Sequence, residues 1–94
     1  MNPKITSLKT EPNYCLLFQF ENGEQGFFDM KPYLNYPVYK KLLNPILFSQ
    51  AKLQHGIVVW NDSIDLDPDI AYLESTKHLL MLTKGLTPLG VEYL

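Results

Sequence analysis

The segment Tyr14 to Asp29 restricts the fold more than any other part of the chain. Asn22-Gly23 sits between two runs of alternating apolar residues, and that dipeptide is the strongest short-range hairpin signal, because a type I′ turn needs positive φ at both central residues. A two-residue loop predicts that Glu21 faces Glu24, Gln19 faces Gly26 and Phe18 faces Phe27. Period-two alternation then puts Tyr14, Leu16, Phe18, Phe20 and Phe27 on a core face. The opposite face carries Cys15, Leu17 and Phe28 beside Gln19 and Glu21. It is too apolar for a solvated surface, so a helix or another subunit is expected to cover it.

The rest of the chain supplies shorter elements. Lys4 to Thr10 reads as a first strand, followed by a turn at Glu11-Pro12-Asn13. After the hairpin, Asp29 is a candidate N-cap with Pro32 in the first turn. Pro37 to Leu43 reads as a short helix with Val38, Tyr39, Leu42 and Leu43 at helical spacing and Lys40 and Lys41 outward. Asn44-Pro45 repeats the cap-then-proline signal before a single turn near Phe48. Ala51 to Gln54 and Ile57 to Asn61 form a second hairpin about His55-Gly56. Ile64 to Leu66 makes a short last strand. Asp67-Pro68 opens a helix running to about Thr76, with Asp67 as N-cap, Asp69 favoured by the helix dipole, and Ile70 and Leu73 facing inward.

These readings predict one α+β domain over residues 1–76: a mainly antiparallel sheet of about five strands built from two hairpins, with short helices on one side. Residues 77–94 form a C-terminal extension that could lengthen the helix, pair as a strand or dock on a partner. The chain of 94 residues is long enough to fold without staples.

Composition removes several function classes. The net charge is −2 and every one of the eight basic residues is a lysine. Arginine is the usual bidentate reader of guanine and phosphate, so direct nucleic-acid binding is disfavoured. Cys15 is the single cysteine, which rules out an internal disulfide. No apolar run is long enough to span a bilayer, and the start Met-Asn-Pro-Lys-Ile-Thr has no leader-like stretch. A cytoplasmic location is therefore expected, with no membrane association.

The stretch Gly56 to Ser75 holds Trp60 and four of the five aspartates, and it carries a resemblance. Asn22-Gly23-Glu24, Phe28-Asp29, the Phe48 turn, Val59-Trp60-Asn61 and Ile64-Asp65-Leu66-Asp67-Pro68-Asp69 with Tyr72-Leu73 resemble a bacterial family of small uncharacterised domains. That family carries a "W-x-N-G-x-D-I-D-P-D" signature. The resemblance covers about residues 4–75. It implies a small α+β domain with no established activity. Some members stand alone in toxin–antitoxin-like gene pairs, and others precede a helix-turn-helix domain. This chain departs from the pattern with Ser63 at the usual turn glycine, Ala71-Tyr72-Leu73 at its end and a longer tail.

Asp62, Asp65, Asp67 and Asp69 invite a metal reading, since hard cations take carboxylate oxygens. Counted from Asp65 as a calcium loop, however, the sixth position is Ile70 instead of glycine, and the twelfth is Thr76 instead of glutamate. Strand alternation and helix capping explain most of the pattern, so no metal, cofactor or catalytic residue is assigned. His55 and His78 are the only histidines available as general-base candidates, and neither lies in a recognisable catalytic context. The chain is read as a non-enzyme.

The expected function is a protein-binding or regulatory module, the antitoxin-like partner in a two-gene system. Its partner is expected to be a more basic protein, and a homodimer is compatible with the sequence. The candidate partner-binding residues are Trp60, Asp62, Asp65, Asp69, Tyr36 and Tyr39, with Trp60 more often a core anchor than an exposed contact in such a position. A DNA-linked regulator acting through a partner or dimer is the alternative. A metal-dependent hydrolase using the aspartates ranks below both.

Overall fold

The computed structural model describes residues 2–61 and 63–79. Among these residues, seven strands form two antiparallel sheets. The larger sheet has the order β1-β2-β3-β7, from β1 (Ile5–Glu11), β2 (Cys15–Phe20), β3 (Glu24–Asp29) and β7 (Thr76–Leu79). The smaller sheet is β4-β5-β6, from β4 (Lys52–Gln54), β5 (Ile57–Asn61) and β6 (Ile64–Leu66). Two 3₁₀ segments, Lys31–Tyr33 and Pro37–Leu43, and the helix α1 (Pro45–Phe48) connect the sheets. The helix α2 (Pro68–Leu73) precedes β7. The α+β class holds, but the strands divide between two sheets instead of forming one.

The first hairpin differs from the two-residue expectation. Phe18 pairs with Gly26, and Gln19 with Gln25. The loop is therefore Glu21-Asn22-Gly23. The Gly23 amide donates to the Phe20 carbonyl at 3.0 Å, and Gly23 alone of the three has positive φ, at 94°. This is the three-residue alternative, a turn closed by one left-handed residue. The Asn22 side chain reinforces it by accepting from the Glu24 amide at 3.1 Å. Shifting the register by one residue exchanges the faces of β3. Phe28 is fully buried, while Phe27 is 44% exposed beside Leu17.

The two-residue turn with both residues at positive φ occurs instead at His55 (54°) and Gly56 (79°), between β4 and β5. The turn between β1 and β2 is also tight: Asn13 and Tyr14 both adopt positive φ, at 68° and 62°. For a tyrosine this is an uncommon conformation. Its ring is held edge-on to Phe48 with centroids 5.3 Å apart, and its hydroxyl donates to the Leu43 carbonyl.

The core joins the inner faces of both sheets. Leu16, Phe18, Phe20 and Phe28 come from the larger sheet, and Val58, Trp60, Ile64 and Leu66 from the smaller. Met30, Leu34, Leu42, Phe48 and Ala71 from the connecting and helical segments close it. The 3₁₀ pieces are too short to persist alone and depend on this packing.

Helix α2 starts as its capping residues predict: the Asp67 carboxylate accepts from the Asp69 amide at 2.8 Å, with Pro68 following. It ends earlier, at Leu73, and turns a different face inward. Ala71 is buried and Tyr72 half-buried, with the Tyr72 ring edge-on to Phe20 at 4.9 Å, whereas Leu73 is 63% exposed and Ile70 is exposed. A six-residue helix offers less than two turns, so the sheet's one large aromatic contact sets its rotation. The chain then enters β7, which pairs with β3 through Phe27–Thr76 and Gly26–Lys77. The expected boundary at residue 76 thus falls inside a strand. Residues 80–94, the rest of the expected extension, lie outside the described residues.

Candidate functional site

Five of the six candidate residues are described, and they separate into three environments. Trp60 belongs to the interior: it is 3% exposed, its Nε1–H donates to the Phe48 carbonyl at 2.9 Å, and its ring lies 5.9 Å from that of Phe48. This corrects its inclusion among docking residues, because a side chain already committed on every side offers a partner nothing. Alternation along β5 explains the outcome, since Val58 and Trp60 share the inward face.

Tyr39 and Asp65 meet where the Pro37–Leu43 segment reaches β6, and Tyr36 stands at the N-cap of that segment. The Tyr39 hydroxyl donates to the Asp65 carbonyl at 3.1 Å. Burial raises the Tyr39 phenol above its usual range, and the Asp65 and Asp67 carboxylates add to that rise. Tyr36 is 55% exposed and meets Tyr33 edge-on at 6.1 Å. Tyr33 is stacked on Phe28 at 5.5 Å, and burial followed by the Glu74 charge raises its phenol. Tyr33 and Tyr39 therefore stand near carboxylates, while Lys40 and Lys41 lie on the Pro37–Leu43 segment itself.

Asp69 belongs to a separate place. It is exposed at the start of α2 and accepts from the Asn2 side chain at 2.9 Å. A groove there is lined by Asn2, Pro3, Lys4, His55, Gly56, Ile57, Pro68 and Asp69. Asp62, the remaining candidate, lies outside the described residues, as does the side chain of His78.

Asp65 also lines a larger groove of about 570 Å³ on the outer face of the smaller sheet, with Lys52, Gln54, Val59, Asn61, Ser63 and Ile64. The register sets Lys52, Val59 and Asp65 side by side on three successive strands. Lys52, Gln54, Val59 and Asp65 were legible from alternation, since they occupy the positions between Leu53, Val58, Trp60, Ile64 and Leu66, but no chemical motif marks them.

Among the described residues the ion pairs are Lys9–Glu11 at 3.6 Å and Lys31–Asp29 at 3.0 Å. The second pair forms where Asp29 was expected to cap. Its carboxylate accepts from the Lys31 amide at 2.9 Å, although Met30 occupies the N-cap position itself. Burial works to raise the Asp29 carboxyl, and the Lys31 amide and ammonium outweigh it, leaving it below the usual range. Cys15 is buried under this pair, its Sγ 4.0 Å from the Lys31 ammonium. At the other end of β3, Tyr72 donates to Glu24 at 2.5 Å, and the Lys77 ammonium lies 4.5 Å from the Tyr72 ring centre. That bond, followed by the Asn22 amide, lowers the Glu24 carboxyl.

Among the described residues no three of the His, Cys, Asp and Glu side chains are grouped to hold a metal ion. No described helix is long and apolar enough to cross a membrane.

Large apolar side chains do reach the surface, and most of them sit on the helical segments. Tyr36, Val38 and Leu43 belong to the Pro37–Leu43 segment and its N-cap, Ile46 to α1, and Ile70 and Leu73 to α2. Ile46 is the most exposed at 70%.

Residues 5–76 match the family model of DUF2442, described as proteins of unknown function, and the chain belongs to that family. No curated protein and no solved structure matches the chain.

Proposed function

We propose that this DUF2442 chain is a non-enzymatic protein-binding or regulatory module, the antitoxin-like member of a two-gene system, whose partner is a more basic protein. The observation that carries this reading is the set of exposed apolar residues on the short helices: Tyr36, Val38, Leu43, Ile46, Ile70 and Leu73. These segments cover the core with one side and offer aromatic and aliphatic groups on the other. Exposed aromatic and aliphatic side chains of this kind suit an interaction site, in which tyrosine is enriched.

The neighbouring carboxylates support a basic partner. Asp65, Asp67 and Glu74 surround the tyrosine-bearing edge, and none of them is in an ion pair among the described residues. Lys40 and Lys41 lie on the same segment, so the field is mixed at that end. Aromatic contacts would supply affinity, and the carboxylates would steer a cationic partner.

The test is co-expression with the product of the adjacent gene, followed by affinity capture and a growth assay. The expected result is a stoichiometric complex and relief of the partner's toxicity. Leu73→Ala and Tyr36→Ala should each weaken capture while leaving the fold intact. No complex, together with no relief of growth inhibition, would sink this reading.

A further inference from the structure

The outer face of the smaller sheet meets the tyrosine-bearing edge only at Asp65, and it has a charge pattern of its own. Its central row runs Lys52 on β4, Val59 on β5 and Asp65 on β6. Lys52 and Asp65 are exposed, Val59 is half-buried, and neither charge is in an ion pair among the described residues. The same face carries Gln54 opposite Ile57 in the next row. A cation thus stands on one edge strand, an anion on the other, and branched apolar side chains on the strand between them.

We propose that this face is a docking surface for a second copy of the chain, related by a two-fold axis parallel to β5. Such an axis lays β5 on β5 and each edge strand on the opposite edge strand. Lys52 then meets Asp65 of the second copy, Asp65 meets its Lys52, and Val59 and Ile57 meet their own counterparts. Isologous contacts require a patch that complements itself, which a cation–apolar–anion row does when turned about its centre. Aligned face-to-face packing of sheets about 10 Å apart is an ordinary arrangement and tolerates the angle that twist introduces. Three strands of three to five residues make a small face, well short of a standard interface of about 1,600 Å². The association is accordingly weak, and sedimentation must be followed up to about millimolar protein.

The design of the test uses the exchange of charge. Wild-type protein is expected to show reversible dimerisation that weakens with salt. Asp65→Lys and Lys52→Asp should each weaken self-association at least about tenfold, because two-fold symmetry applies each like-charge contact twice. Mixed in equal amounts, these two variants should form a heterodimer, since every cation then meets an anion. Both side chains are exposed, so unchanged circular dichroism is expected for each variant. Wild type that stays monomeric throughout, a dimer unaffected by either reversal, or a mixture no more associated than its parts would overturn the proposal. The adjacent-gene partner is absent throughout, so this outcome is separable from that of the capture experiment. If that partner is captured and both reversals abolish its capture while wild type remains monomeric, the face belongs to the partner instead.

Discussion

Replacing Trp60 with phenylalanine tests whether the tryptophan is structural. The indole donates its N–H to the Phe48 carbonyl and packs against the Phe48 ring. That carbonyl also accepts from the Ala51 amide at 3.3 Å, so the substitution leaves it with one donor. The hydrogen-bond loss therefore falls in the ordinary net range of about 0.5–1.5 kcal/mol instead of the larger cost of an orphaned group. Shrinking a buried indole to a phenyl ring adds a cavity cost of about 1–2 kcal/mol, part of the 3–5 kcal/mol seen for full truncation to alanine. Together the change should cost about 2–3 kcal/mol, a large share of the stability of about 5–10 kcal/mol expected for a domain this size. The melting temperature should fall by about 10–20 °C. Urea unfolding followed by far-ultraviolet circular dichroism measures the change, because the variant lacks the fluorophore. In the wild type, acrylamide should quench the Trp60 emission poorly. A stability change under about 0.5 kcal/mol, the range of a surface substitution, would refute the argument, as would quenching as efficient as that of a free indole.

Other substitutions test neighbouring parts of the account. Leu42 is fully buried and Leu43 is half exposed; Leu42→Ala should cost about 2–5 kcal/mol and Leu43→Ala about 0.5 kcal/mol or less in the same urea titration. A Cβ on Gly26 would lie 2.7 Å from the Phe20 ring and 2.8 Å from the Ser75 hydroxyl, so Gly26→Ala should destabilise by about 1–3 kcal/mol through overpacking, read by thermal melting. The phenols of Tyr33 and Tyr39, raised first by burial, and of Tyr72, raised first by its bond to Glu24, all lie above the usual value in the folded state. Their contribution is complete below the unfolded tyrosine pKa of about 10 and is lost as pH rises through the raised folded values. Stability measured from pH 9 to 12 should decline, and Tyr39→Phe should flatten part of that decline.

Local signals in the sequence were read well where they act within a few residues. Asp67-Pro68 and Asn44-Pro45 start helices as their chemistry dictates, and the Asn44 side-chain oxygen Oδ1 accepts from the Ile46 amide at 2.9 Å. The choice between a two-residue and a three-residue loop at Asn22-Gly23 was not legible. Both loops place glycine at positive φ, and the decision rests on whether Phe27 or Phe28 fits the core. The same holds for α2, whose short apolar pattern at Ile70 and Leu73 suggested an inward face that Ala71 and Tyr72 occupy instead. Docking of Tyr72 on Phe20 is a contact between distant parts of the chain, and no window around α2 contains it. The division into two sheets was hidden for the same reason, since β7 pairs with a strand far earlier in sequence. Of the candidate surface, the exposure of Asp65 followed from simple alternation. The row formed with Lys52 required the register of three strands.

The pairing of β7 with β3 also sets a schedule. Phe27 is made long before its partner Thr76, with about fifty residues between them. At synthesis rates of about 5–20 residues per second, β3 waits roughly 3–10 s for its neighbour. During that interval the segment holding Phe27 and Phe28 is an edge with unpaired backbone groups, open to whatever strand reaches it first. Asp29 at its end and the positive-φ Gly23 at its start limit how far a stray strand could extend along it. The larger sheet is thus completed only after residue 76 is added, and the nascent chain is open to misassociation along β3 until then.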